Sequence, residues 1–231
     1  MTANPEARLE RLPGLVIRQD AAGPDDLEES VRLLRAVASG GIAEDRVLRL
    51  YAPVPTLAMT RRESRMPGYP VAVAAAERLG FAPAIRPTGG RAVAYDESCL
   101  VFDLVDRVHD TLDPGHFFAS AGNTIADALR ELGVDARLGE VPGEYCPGEY
   151  SINARGVVKL IGTSQRAIRG ARLLSGMLAF GPVDRFVGVL TEANAALDLK
   201  WDPATFGSML VEGPGIPRSA VADALSAALV A

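Results

Sequence analysis

Histidine and cysteine are both scarce in this 231-residue chain, at two each. Neither Cys99 nor Cys146 has a cysteine or histidine neighbour at zinc-ligand spacing, and His109 and His116 are the only imidazoles, so no metal site is expected. Two cysteines in a chain this long also make no disulfide framework. No apolar run reaches the ~18 residues that suggest a membrane-spanning helix. The first twenty residues mix charges throughout and lack the apolar centre of a signal peptide. These absences predict a soluble, cytoplasmic protein with no membrane partner. A basic excess is missing too: the formal charge of −5 argues against a nucleic-acid partner held by bulk electrostatics.

Apolar side chains make up 48% of the residues, enough for a full core. The charge is unevenly spread. From Arg155 to Arg172 there are five basic residues and no acid, and "AIRPTGGRAVAY" adds Arg86 and Arg91, again without an acid. An acidic chain with a locally basic centre suits an anionic ligand or an acidic partner docking at one place.

The segment "PDDLEESVRLLRAVASGG" predicts a helix, with Pro24 in its first turn, a stripe of Leu27, Val31, Leu34 and Ala38, and Gly40 to end it. "RVLRLYA" and "TLAMTRR" predict strands, and "YPVAVAAAERLG" a second helix stopped by Gly80. "PAIRP", "RAVAYD" and "CLVFDLVD" follow as strands, then a helix from about Pro114 to Leu132 and a strand at "DARLG". The stretch "EVPGEYCPGEY" is too rich in proline and glycine to be regular. "SINARGVVKLIGTSQRAIRG" and "ARLLSGMLAFG" predict a meander of strands, and helices follow Gly181. Order and spacing predict an α+β fold, a largely antiparallel sheet with flanking helices and a short helical tail. The expected division is a catalytic domain over 1–181 and a small helical extension over 182–231.

Three places could carry chemistry. Pro87 and the Gly89-Gly90 pair make a turn that lets a ligand approach the backbone, bracketed by Arg86 and Arg91. Taken alone such a turn is more often an ordinary hairpin than a binding loop. Lys159, in "VVKLIG", either snorkels to solvent or faces a cleft, where its ammonium group would hold an oxygen and favour a nearby thiolate. Cys99, at the start of an apolar strand, fits a buried small hydrophobe. Cys146 sits on a Pro/Gly loop instead, and such a thiol is a nucleophile only where cations or N–H groups stabilise the thiolate.

Together these pieces resemble the lipoate-protein ligase, octanoyltransferase and biotin-ligase superfamily. The carriers are "RPTGGRAV", an R-x-x-G-G-x-A-V turn, and about sixty residues later "VVKLIGTSQR", a lysine followed by G-T-S-Q-R. "CPGEYSI", just before the lysine motif, is similar to the cysteine-dependent branch of octanoyl and lipoyl transferases. The biotin-ligase signature G-R-G-R-x-G is absent. Tyr95 stands where many relatives carry histidine, and "DESCLVFDLV" replaces the usual pattern after it.

The resemblance implies a class II synthetase/biotin-ligase-like catalytic domain. It implies transfer of an octanoyl or lipoyl group through a Cys146 acyl-enzyme, with Lys159 holding the acyl carbonyl. Arg86, Thr88, Gly89, Gly90, Arg91, Ala92, Val93, Tyr95, Gly162, Thr163, Ser164 and Gln165 would line the substrate site, with backbone N–H groups near Gly89, Gly90 and Gly162 as oxyanion donors. No cofactor is then required beyond the lipoate or octanoate acyl group. The implied donor is an acyl carrier protein or a lipoylated carrier domain, and the acceptor a lipoyl domain or a glycine-cleavage H protein. The basic Arg166 to Arg172 strand would dock such acidic domains, while Glu144 and Glu149 are expected to point outward. Two alternatives are an ATP- and Mg-dependent lipoate ligase, and a non-catalytic module that binds acylated carrier domains.

Overall fold

The computed structural model describes residues 7–19, 25–108 and 114–230. Pro24, expected in the first turn of a helix, and His109 lie outside the described residues. In chain order the elements are β1 (Gly14–Gln19), α1 (Asp26–Ser39), β2 (Arg46–Tyr51), β3 (Thr56–Met59), α2 (Tyr69–Arg78), β4 (Ala82–Ile85), β5 (Val93–Tyr95) and β6 (Cys99–Arg107). Then come α3 (Pro114–Glu131), β7 (Ala136–Leu138), β8 (Ile152–Ala154), β9 (Val158–Ile168), β10 (Ala171–Ala179), α4 (Asp184–Ala196), the short α5 (Met209–Glu212) and α6 (Arg218–Leu229).

Seven strands form one sheet in the order β1-β2-β6-β10-β9-β8-β7, and β4-β3-β5 form a second, smaller one. All pairs are antiparallel except β1 with β2 and β3 with β4. The architecture is thus the expected α+β arrangement, with the single sheet resolved into two. β1 is an element that the sequence reading left unassigned.

Successive strand side chains point to opposite faces, so each central strand serves two cores. Leu100, Phe102 and Leu104 of β6 pack with Leu174 and Leu178 of β10 beneath α3 and α6. Burying Ile125 and Leu129 of α3 there stabilises the fold by about 2 kcal/mol each. On the opposite face Val105 joins Val47 and Leu173 under Leu33, Leu34 and Val37 of α1. Val101, Met177 and Tyr51 meet the small sheet, α2 and α4. The helices after Gly181 enter the same cores, through Phe186, Val189 and Leu190 on one face and Val221, Leu225 and Leu229 on the other. A Cβ at Gly68 would lie 1.7 Å from the Ala196 carbonyl oxygen, so glycine lets α2 and α4 approach.

Two irregularities position the site. The β8–β9 register steps from Ile152↔Ile161 to Asn153↔Lys159, a bulge that leaves Leu160 without a partner. Leu160 and Ile161 therefore both enter the α3-side core, and Lys159 lies on the same face as Gly162. Across that face the ladders align Arg49, Asp103, Ser175 and Ser164 in one row and Tyr51, Val101, Met177 and Gly162 in the next.

Candidate active site

The Arg86–Val93 turn joins β4 to β5 and is held from three sides. Glu63 accepts from the Ala92 N–H at 2.8 Å and from the Thr60 N–H and hydroxyl at 2.8 Å. The Ser164 hydroxyl donates to Thr88 Oγ1 at 2.9 Å, and Arg166 donates to the Pro87 carbonyl at 3.1 Å. Arg86 closes the turn on itself, donating to the Arg91 carbonyl at 2.6 Å. Gly90 adopts φ +100°, and a Cβ there would stand 2.6 Å from an Arg86 nitrogen and 2.9 Å from Cys146 Sγ. Glycine is required twice over at this position, by backbone angle and by space.

Cys146 is brought to this turn by the irregular stretch between β7 and β8. Its Sγ accepts the Arg91 N–H at 3.1 Å. Lys159 is buried and donates to the Cys146 carbonyl at 2.7 Å and to Glu144 Oε1 at 2.9 Å. Its ammonium also lies 4.6 Å from the centre of the Tyr145 ring. A Cβ at Gly162 would meet the Lys159 side chain at 2.8 Å and the Tyr145 hydroxyl at 3.0 Å, so Gly162 makes room for both.

Glu144 does not point outward as expected. It is fully buried, accepting also from the Ser151 hydroxyl at 2.7 Å and the Val141 N–H at 3.1 Å. A buried carboxylate with three donors is satisfied as an ion, which is why burial wins over hydration here. Glu149 is exposed.

Cys146 and Lys159 sit at the rim of a narrow cavity, with about 60 Å³ of free interior within about 620 Å³ of space that includes its open mouth. The cavity runs over the sheet from β9 towards β2, with Val93, Val101, Tyr145 and Met177 in its walls. Burial pushes the phenols of Tyr51, Tyr95 and Tyr145 well above the usual tyrosine range, so all three remain neutral.

Arg86, Thr88, Arg91, Val93, Tyr95, Cys146, Lys159, Gly162, Thr163 and Ser164 all line this cavity. Gly89, Gly90 and Gln165 instead line grooves that reach Cys146 from outside. Ala92 is buried behind the wall, and its N–H belongs to Glu63. Leu27 and Ser30 of α1, Tyr51, Asp103 and Ser175 also line the cavity, and sequence reasoning missed them. Asp103, centred in the apolar "CLVFDLV", was the one signal that could have been followed.

The basic strand is less available for docking than its composition promised. Arg172 stacks at 3.6 Å on the Phe117 ring and reaches Asp106 at 3.4 Å, and Arg166 is engaged by the turn. A more open cluster borders Cys146 itself, where exposed Arg61 and Arg62 share a groove with Arg86 and Arg91. Among the described residues no group of three or more His, Cys, Asp or Glu could hold a metal ion, and no helix is long and apolar enough to cross a membrane.

The chain is 31% identical over 159 residues to an octanoyl-GcvH:protein N-octanoyltransferase of Anoxybacillus flavithermus, covering 68% of this chain and 54% of the relative. It is 28% identical to the protein of the same name from Geobacillus kaustophilus, covering 67% and 56%. The chain thus spans about half the length of these curated relatives. A lipoate-protein ligase A bound with ATP superposes with a TM-score of 0.75 at 21% identity, over 95% of this chain and 84% of the other. Residues 27–201 match the sequence profile of the lipoyl protein ligase A/B catalytic domain, and the chain belongs to that family.

Proposed function

We propose that the protein is an octanoyl or lipoyl transferase that works through a Cys146 acyl-enzyme. The observation that carries this reading is the placement of Cys146 Sγ, under the Arg91 N–H, at the rim of a largely apolar cavity beside a buried lysine. The Cys146 thiolate attacks the carbonyl carbon of the donor. The new C–S bond replaces the thioester of an acyl carrier protein or the amide of a carrier-domain lysine, and the leaving thiolate or amine takes up a proton. The acceptor lysine amine, on a lipoyl domain or a glycine-cleavage H protein, then forms the amide. It loses its proton and returns the thiolate.

Lys159 has three N–H donors, and two are committed to Glu144 and the Cys146 carbonyl. The third would meet the acyl oxygen, where N–H groups of the Gly89–Gly90 turn and Gly162 would add their dipoles. Amide formation from a thioester is downhill, so neither ATP nor Mg enters. With an amide donor the first step is uphill, and the second transfer completes it. The GcvH named in the relatives supports an acylated H protein as the donor. Residues 182–231, placed in both cores, would act as a structural extension of the catalytic part, and the site would operate in the cytoplasm.

The alternative, an ATP-dependent ligase, is favoured by one observation: 33% identity over 116 residues to the lipoate-protein ligase A subunit 1 of Thermoplasma acidophilum. Intact mass after incubation with an octanoyl thioester donor and no ATP separates the two. An octanoyl adduct on the wild type and none on Cys146→Ala supports transfer. No adduct on either, together with lipoate-dependent exchange of pyrophosphate into ATP, overturns it.

A further inference from the structure

The cavity floor is a ruled surface. Gly162 on β9, Met177 on β10, Val101 on β6 and Tyr51 on β2 are successive cross-strand partners, and adjacent strands are about 4.8 Å apart. The row begins at Gly162, beside Lys159, and its last member in the cavity is Tyr51, the bulkiest of the four.

Tyr51 is also braced. The Arg49 guanidinium lies 3.9 Å from its ring centre. Arg49 is fixed in turn by Asp26 at 2.7 Å, Gln19 at 2.7 Å and Asp103 at 3.3 Å. Asp103 also accepts the hydroxyls of Ser30 at 2.7 Å and Ser175 at 2.5 Å. These hydroxyl hydrogens are spent inside the network, so the far end of the cavity offers a passing chain no donor from it.

We propose that Tyr51 sets the length of the acyl chain that the pocket accepts, acting as a rigid stop at the end opposite Cys146. The inference rests on the acyl-transfer reading of the same site. From β9 to β6 is two strand intervals, about 10 Å. A saturated chain, with C–C bonds of about 1.5 Å, advances roughly 1.3 Å per carbon and covers that distance with about eight carbons. The next interval is occupied by the Tyr51 ring. A longer chain must displace an aromatic side chain that the buried Arg49 network holds in place.

The test compares thermal stabilisation of the wild type, Tyr51→Phe, Tyr51→Val and Val101→Phe by straight-chain carboxylic acids of about six to fourteen carbons, since a ligand bound only to the folded state raises Tm. The wild type and Tyr51→Phe should share an optimum near eight carbons. Tyr51→Val should move the optimum at least two carbons longer, and Val101→Phe, which narrows the same row part-way along, should move it shorter. An unchanged optimum in folded Tyr51→Val overturns the proposal. If Tyr51→Val does not fold, an unchanged optimum in Val101→Phe overturns it. So does a wild type that no acid stabilises. A mass adduct on Cys146 from an octanoyl thioester, measured in parallel, reports on acyl transfer itself and separates its failure from that of the stop.

Discussion

Lys159 and Glu144 form a buried ion pair, Nζ to Oε1 at 2.9 Å, beneath the loop that carries Cys146. The pair fixes that loop twice, since the same ammonium also holds the Cys146 carbonyl. A buried pair is only as good as its additional hydrogen bonds. Ser151 and Val141 supply them on the acid side.

Removing one partner should therefore cost far more than an exposed pair would. Glu144→Ala leaves a buried ammonium uncompensated, an expected loss of about 3–5 kcal/mol, or roughly 10 °C in Tm for a chain of this size. Thermal denaturation reads it. A loss below about 1 kcal/mol, the range of surface pairs, would contradict the burial.

At Gly90 both the backbone and the space argue against any side chain. Gly90→Ala should destabilise by about 1–3 kcal/mol through a left-handed non-glycine backbone. It should also push the turn off Cys146, slowing octanoyl loading at least tenfold while circular dichroism remains that of the folded protein. Wild-type loading would show that the Arg91 N–H contact is dispensable.

The two thiols should part in reactivity. Cys99 is fully buried, and desolvation pushes its thiol up to about 12, whereas Cys146 is partly exposed beneath an N–H donor. Iodoacetamide under native conditions should modify Cys146 alone, as peptide mapping would show, and prior octanoylation should block it. Equal labelling of both would mean that the core opens on the labelling timescale.

Burial is also the largest influence raising the Asp103 carboxyl above its usual range, ahead of the serine and Arg49 contacts that lower it. A raised folded-state value means that the contribution is present at low pH and lost as pH climbs from about 4, the unfolded value, through the folded one. Asp103→Asn, which leaves Arg49 paired with Asp26, should gain stability relative to the wild type across that rise. Urea midpoints at pH 4 and pH 7 give the comparison, and a constant difference would refute it.

Elements marked by local chemistry were legible before any coordinates. α1 and α2 were legible as helices closed by Gly40 and Gly80, both at positive φ, although α1 buries Leu33, Leu34 and Val37, one step round from the expected stripe, of which Leu34 alone is fully covered. The Arg86–Arg91 turn and the β9–β10 meander announced themselves through glycine. β1 did not, because its parallel partner β2 lies beyond a helix and the pairing depends on residues some thirty positions away. Glu144 looked like a loop carboxylate because its partner Lys159 stands fifteen positions on. The far end of the cavity was hidden for the same reason. Asp103, Arg49, Ser30 and Ser175 come from four elements, and only the folded sheet makes them neighbours.

The unpaired Leu160 gives β9 a change of phase, one residue more than plain alternation needs. Deleting it would restore the alternation and leave Lys159 facing the cavity with Gly162, at the cost of one buried leucine. Deleting Thr163, in the regular part of the ladder, would instead invert the strand on one side of the gap, carrying either Ser164 away from Thr88 or Ile161 out of its core. The same single-codon loss is thus absorbed at 160 and not three positions later.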